Sequence, residues 1–177
     1  PFFQLSIWAN RRFQPDNGKG SNMVQDTPAP QETITVLLVE DSAGDAELIT
    51  PELEEAEEVT FQVEHVSRLA DALEVLASGG AQAVLLDLGL PDSQGMATFE
   101  QARASAHHMP IIVLTGLEDE ELGVSAVQAG AQDYLVKGQV SSQLLARSIR
   151  YAVEREEARS KIERLNAELE ERVAERT

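Results

Sequence analysis

The stretch Val84-Leu85-Leu86-Asp87-Leu88-Gly89-Leu90-Pro91 decides the fold that this chain is expected to adopt. An unbroken apolar run of this kind is typical of a β-strand that is buried on both faces. The run ends on one carboxylate, and the glycine and proline that follow stop a strand and begin a loop. Open α/β sheets bind ligands just outside the carboxyl ends of their strands. Asp87 is therefore a candidate functional residue, although a single acid at this place is more often a loop or capping residue.

Similar strand patterns recur along the chain, and helical patterns separate them. Strands are expected at 34–39, 61–66, 83–87, 111–114 and 134–136. Helices are expected at 45–58, 69–77, 98–106 and 119–129, the second capped by Ser67, and a last helix begins at Ser141 or Ser142. This alternation predicts an α/β fold with a doubly wound, five-stranded parallel sheet and an extended C-terminal helix.

The composition limits the classes of function. The 31 acidic and 14 basic residues give a net charge of −17, which argues against contact with nucleic acid and favours a divalent cation. Cysteine is absent, which excludes disulfides and thiolate metal sites and fits a cytoplasmic protein. No apolar run approaches the roughly 18 residues that a membrane span requires. Residues 1–33 are expected to be a flexible or vector-derived lead-in, outside the domain.

Four of the five expected strands end on polar residues of different chemistry, namely Glu40-Asp41, Asp87, Thr115 and Lys137. Alone, each is uninformative, and Glu40-Asp41 could simply cap the next helix. Together they would meet in one crevice, where three carboxylates repel one another unless a cation lies among them. Oxygen ligands without a nearby His or Cys suit Mg²⁺. A carboxylate nucleophile, a hydroxyl and an ammonium group are suited to phosphoryl transfer.

This pattern resembles the receiver domain of two-component response regulators, over residues 34–153. That family has an acidic pair after strand one, an acceptor Asp after strand three, a Thr or Ser after strand four and a Lys after strand five. Leu90-Pro91, Gly95 and the segments 129–131 and 133–135 match as well. The resemblance implies the flavodoxin-like strand order 2-1-3-4-5. It also implies a signalling switch, not an enzyme, that receives phosphate from a sensor histidine kinase or phosphotransfer protein.

The resemblance assigns a role to each site residue. Asp87 would be the phosphoacceptor. Asp41, Asp87 and the backbone carbonyl of Gly89 would bind Mg²⁺ directly, and Glu40 would act through water or from outside the direct ligands. Thr115 would hydrogen-bond the phosphoryl group, and Lys137 would pair with it.

The resemblance also bears on switching, through Tyr134, and the chain departs from the family pattern at positions near the site. Tyr134 matches the aromatic residue that turns inward when the strand-four hydroxyl moves, although an ordinary packed aromatic would also fit there. Gly138 stands where the family usually has proline. Gly89 and Leu117 offer no polar side chain to position an attacking water, so self-dephosphorylation is expected to be slow. His107-His108 are expected in an exposed loop.

The last helix extends beyond what a receiver domain needs. Apolar residues recur along it at coiled-coil spacing, although Arg155 and Arg172 interrupt the pattern. The members of this heptad stripe are Leu144, Tyr151, Ala158, Ile162, Leu165 and Leu169. Residues 154–177 are therefore interpreted as a dimerising linker that leads to an output domain absent from this chain. The alternative is a single solvated helix.

Two other functions are compatible with a strand-end aspartate. A haloacid-dehalogenase-like phosphatase also uses such a nucleophile, but it needs a second Asp where Gly89 stands. A degenerate receiver could serve as a phosphorylation-independent interaction module, but the intact Asp87, Thr115 and Lys137 argue against it.

Overall fold

The computed structural model describes residues 33–56 and 59–177. The main sheet consists of β1 (Thr33–Val39), β2 (Thr60–Val66), β3 (Ala83–Asp87), β6 (Ile111–Thr115) and β7 (Asp133–Val136). Two short strands, β4 (Gly89–Leu90) and β5 (Ser93–Gln94), form a hairpin after β3. The helices are α1 (Ala43–Glu54), α2 (Leu69–Ser78), α3 (Met96–Ser105), α4 (Glu120–Gln128) and α5 (Ser142–Glu175). The expected lead-in lies outside the described residues, except for Thr33, which begins β1.

The main sheet is parallel throughout and has the order β2-β1-β3-β6-β7. Without the β4–β5 hairpin this is the expected order 2-1-3-4-5, so the predicted flavodoxin-like fold is confirmed. β1 has β2 on one side and β3 on the other, so the chain changes direction across the sheet at this point. Ligands of doubly wound sheets bind at such a switch point. The switch point lies between β1, which Glu40 follows, and β3, which ends at Asp87.

The sheet separates two apolar layers. Val84 and Leu86 of β3 pack with α2, α3 and α4, whereas Leu85 packs with α1 and α5 on the opposite face. These three side chains are fully buried, as the apolar run predicted. The strand is thus held from both sides, which fixes the position of Asp87 at its end.

The N-terminus of α2 is held by a residue from another part of the chain. Ser67 was expected to cap this helix, but that prediction is wrong because Arg68 is the N-cap and makes no side-chain cap bond. The Asp92 carboxylate instead accepts hydrogen bonds from the backbone N–H groups of Leu69 and Ala70, both at 2.9 Å. These bonds lower the pKa of Asp92 and fasten the loop after β3 to α2.

Helix α5 is continuous over 34 residues and begins at the N-cap Ser141, as expected. Its buried residues are Leu145, Ile149, Ala152 and Val153, which pack on the sheet. His107 and His108 are exposed, as predicted, but His108 also reaches α5. Its Nδ1 lies 3.5 Å from Glu156 Oε1 and 3.3 Å from Ser160 Oγ. Among the helices described, none is both long and apolar enough to span a membrane.

Candidate functional site

Three carboxylates meet at the carboxyl edge of the sheet. Glu40 and Asp41 follow β1, and Asp87 ends β3, beside β1. One oxygen from each of these residues lies within 4.8 Å of the others. Glu40 is buried, whereas Asp41 is exposed. Three hard oxygen donors at this spacing, with an open side, fit Mg²⁺ better than a metal that prefers sulfur or nitrogen.

Lys137 is the cation that joins this group. It follows β7, and its Nζ donates a hydrogen bond to Asp87 Oδ2 at 2.8 Å and forms an ion pair with Glu40 Oε2 at 2.6 Å. Burial alone would lower the pKa of Lys137, but the bonds to Asp87 and Glu40 outweigh it and raise that pKa above its ordinary value. Lys137 therefore stays charged and occupies a position from which it can contact a group added to Asp87.

Glu40 is the most deeply buried of the three acids. Its Oε1 accepts a hydrogen bond from the Ser42 backbone N–H at 3.1 Å, and its side chain is fully buried. Burial raises the pKa of Glu40, and the Asp87 charge acts in the same direction. The contact with Lys137 only partly offsets this shift. Additional positive charge in the crevice would therefore be favourable.

The loop after Asp87 is hydrogen-bonded to the Asp87 carboxylate. The Gly89 backbone N–H donates to Asp87 Oδ1 at 3.1 Å. Gly95 closes the hairpin through a 2.8 Å bond from its N–H to the Leu88 carbonyl, and it has a φ of +65°, which favours glycine. The Gly89 N–H thus contacts the Asp87 carboxylate, and the positive φ of Gly95 explains why a glycine stands there.

Thr115 and Tyr134 lie beside the crevice, on β6 and β7. Thr115 is buried at the end of its strand. The Tyr134 hydroxyl donates to Glu120 Oε1 on α4 at 3.0 Å, and this bond raises the pKa of Tyr134. A Cβ on Gly123 of α4 would lie 2.6 Å from the Tyr134 ring and 3.1 Å from the Thr115 methyl. The absence of a side chain at Gly123 therefore leaves room for Tyr134 and Thr115, a role that was not predicted from the sequence.

The backbone conformation explains why Gly138 stands where the family usually has proline. Gly138 has a φ of +78°. Proline is locked near a φ of −65°, so it could not adopt this conformation. The residue after Lys137 thus differs from the family pattern in geometry as well as in type.

An open cavity of about 480 Å³ lies over Asp87. Its lining includes Thr115 and Lys137, together with the acids Asp45 and Asp119. Sequence reasoning did not select Asp45, because an acid in the first turn of a helix is common without any site. The structure places its Oδ2 3.2 Å from Lys137 Nζ. Every predicted acceptor, metal and phosphoryl-sensing side chain thus lies at this edge of the sheet or beside it.

Comparison with known proteins agrees with this geometry. The family model of the response regulator receiver domain matches residues 36–149. The chain belongs to the response regulator receiver family.

Named relatives of the receiver domain come from several bacteria. The swarming motility regulation protein RssB of Serratia marcescens is 36% identical over 114 residues, which are 64% of this chain and 51% of RssB. The transcriptional regulatory protein GltR of Pseudomonas aeruginosa is 38% identical over 115 residues, which are 64% of this chain and 46% of GltR. The chain thus matches about half the length of these relatives.

A solved structure supports the fold of this receiver domain. The crystal structure of a response regulator receiver domain protein from Clostridium thermocellum aligns with a TM-score of 0.62 and 24% identity. The alignment covers 71% of this chain and 98% of that one. The receiver fold therefore accounts for most of the chain.

Proposed function

We propose that this receiver domain is a phosphorylation-dependent signalling switch, in which Asp87 accepts a phosphoryl group from a sensor histidine kinase or phosphotransfer protein. The observation that carries the proposal is the bond between Asp87 and Lys137 inside a three-carboxylate crevice. The chain would act as a phosphoacceptor and not as an enzyme with a separate substrate. Mg²⁺ would be the cofactor.

The transfer requires little covalent chemistry from the protein. An Asp87 carboxylate oxygen attacks phosphorus, the P–N bond of the donor's phosphohistidine breaks, and its electron pair stays on the imidazole nitrogen. Asp41, Asp87 and the Gly89 carbonyl would hold the metal, with Glu40 outside the direct ligands. When bound, Mg²⁺ would neutralise the carboxylates and the developing phosphoryl charge.

The groups beside Asp87 would detect the new phosphoryl group. Lys137 would exchange its bond to the Asp87 carboxylate for one to a phosphoryl oxygen, and Thr115 would donate its hydroxyl. Movement of Thr115 would free space toward which the Tyr134 ring could turn, which would break the Tyr134–Glu120 hydrogen bond. The phosphoryl group would thus favour one of two arrangements of α4 and β7.

Helix α5 would carry the change outward, because it begins shortly after Lys137. Its heptad stripe is exposed, with Ile162, Leu165 and Leu169 about half accessible or more. This stripe points away from the buried face of Leu145 and Ile149. A parallel homodimer through the heptad stripe could therefore form without releasing α5 from the sheet.

Phosphorylation is tested with acetyl phosphate and Mg²⁺ and measured by intact-protein mass spectrometry. Beryllium fluoride with Mg²⁺ serves as a non-covalent mimic of the phosphoryl group in a separate sample. We expect the wild type to gain one phosphoryl group and Asp87→Asn to gain none. Conformational change is followed by NMR in the same samples. A wild type that gains neither mass nor a new conformation would contradict the switch. Sustained hydrolysis of free phosphate esters would favour the phosphatase alternative instead.

A further inference from the structure

Lys137 contacts a carboxylate, that of Asp45, which has no part in the proposed switch. A lysine ammonium has three N–H donors. Three carboxylates surround Nζ, at 2.6 Å from Glu40, 2.8 Å from Asp87 and 3.2 Å from Asp45. The donors are therefore all engaged before phosphorylation. A phosphoryl oxygen has to compete for Lys137 with carboxylates that are already in place.

Asp45 differs from the other two in position. It lies in the first turn of α1, where the Ser42 hydroxyl accepts a hydrogen bond from its backbone N–H at 3.3 Å. Its side chain is 39% exposed and lines the cavity over Asp87, whereas the carboxylates that meet as a metal-binding group are Glu40, Asp41 and Asp87. Asp45 thus faces the space that a phosphoryl group would fill, from outside the metal-binding group.

Phosphorylation would increase the negative charge near Asp45. The Asp45 and Asp87 carboxylates contact the same ammonium, so they lie at most about 6 Å apart. Conversion of the Asp87 carboxylate to an acyl phosphate changes a charge of about −1 to about −2 at neutral pH. Asp45 would repel the added charge while it competes for the lysine that should stabilise it.

We propose that Asp45 is a positioning residue that restrains Lys137 and so slows and limits the phosphorylation of Asp87. This inference rests on the proposed function, since it concerns the same acceptor. Asp45 holds Lys137 toward α1, and an incoming phosphoryl group gains its full stabilisation only when that contact is broken. The receiver is then phosphorylated slowly by a donor unless contacts between the donor and the receiver offset the cost of breaking the Asp45–Lys137 contact.

The test compares phosphorylation rate constants with phosphoramidate and saturating Mg²⁺, measured by intact-protein mass spectrometry. Asp45→Asn should accelerate phosphorylation by about twofold to fivefold, the range that corresponds to a partly exposed ion pair. Glu47→Gln is the matched control, because it removes one exposed charge from the same helix and should leave the rate unchanged. Slower phosphorylation of Asp45→Asn, or equal acceleration by Glu47→Gln, would overturn the proposal.

A double-mutant cycle separates restraint of Lys137 from a structural effect. In a Lys137→Met background, Asp45→Asn should accelerate phosphorylation less than it does in the wild type. An undiminished effect would show that Asp45 does not act through Lys137, and would reject the inference.

Metal affinity supplies a readout that does not depend on phosphorylation. Titration with Mg²⁺ alone should show a loss of affinity below twofold for Asp45→Asn and a much larger loss for Asp41→Asn. Comparable losses would assign Asp45 to the metal site and overturn the restraint. If the wild type accepts no phosphoryl group, the proposed function fails. If it does and Asp45→Asn reacts at the same rate, only the present inference fails.

Discussion

Substitution of Gly123 by alanine should crowd the pair of residues proposed to switch. The new Cβ would lie 2.6 Å from Tyr134 Cδ2, 2.7 Å from Tyr134 Cγ and 3.1 Å from the Thr115 methyl. Carbon atoms in contact prefer about 3.5–4.0 Å. The Tyr134 ring would therefore have to move by about 1 Å, although its hydroxyl is bonded to Glu120 on the same helix.

The expected cost combines two opposing terms. Overpacking of this kind costs about 1–3 kcal/mol, whereas alanine is favoured over glycine inside a helix by about 1 kcal/mol. The net loss in the free energy of unfolding should therefore be about 0–2 kcal/mol. The new methyl lies close to both side chains, so we also expect Tyr134 to turn inward less completely.

The chain is well suited to this measurement because it contains two tyrosines, Tyr134 and Tyr151. After incorporation of 3-fluorotyrosine, ¹⁹F NMR should show a Tyr134 resonance that responds to Gly123→Ala and to beryllium fluoride, and a Tyr151 resonance that Gly123→Ala leaves in place. Urea unfolding gives the stability, with Gly44→Ala as the control, because the nearest atom to its new Cβ would be 3.9 Å away. If Gly123→Ala is as stable as Gly44→Ala and leaves the Tyr134 resonance in place, the steric argument is refuted.

Three further predictions concern the cap of α2, the proposed dimer and the contact of His108 with α5. Asp92→Asn should lower stability by about 1 kcal/mol at neutral pH, because it removes the negative charge and leaves one N–H group of α2 without its acceptor oxygen. The folded-state pKa of Asp92 is lowered, so this difference should shrink as the pH falls through and below the ordinary carboxyl value, and a pH-independent difference would contradict the cap. Ile162→Asp should abolish the proposed dimer in sedimentation experiments, whereas the exposed Lys161→Gln should not. A wild type that sediments as a monomer would reject the dimer. His108→Ala should speed amide hydrogen exchange around Glu156 while exchange near Ile149 is unchanged, and equal rates at Glu156 would exclude anchoring by His108.

The elements that could be predicted from sequence are those with a local signal. β3 combines an unbroken apolar run with Gly and Pro at its end, and its burial on both faces follows from that pattern. The crevice could be predicted because parallel strands end at one edge, so Glu40, Asp87, Thr115 and Lys137 had to lie near one another. Their chemistry was visible in the residue types.

The contacts that sequence reasoning missed join residues far apart in the chain. Asp92 caps α2 from the loop after β3, and His108 meets α5 about fifty residues later. Asp45 and Gly123 carry ordinary local signals, an acid in a first helical turn and a glycine within a helix. Their roles depend on Lys137 and Tyr134, and no local pattern records which side chain another element brings alongside.

The length of α5 sets how far its outer end would move under the proposed switch. Beyond Val153, its last buried residue, the helix continues to Glu175 with its apolar side chains exposed. At 1.5 Å per residue this arm is about 33 Å long. A tilt of about 5° where α5 leaves the sheet would move its tip by about 3 Å. The outer helix would thus act as a lever, which converts a rearrangement of one lysine bond into a shift that a neighbouring molecule can detect.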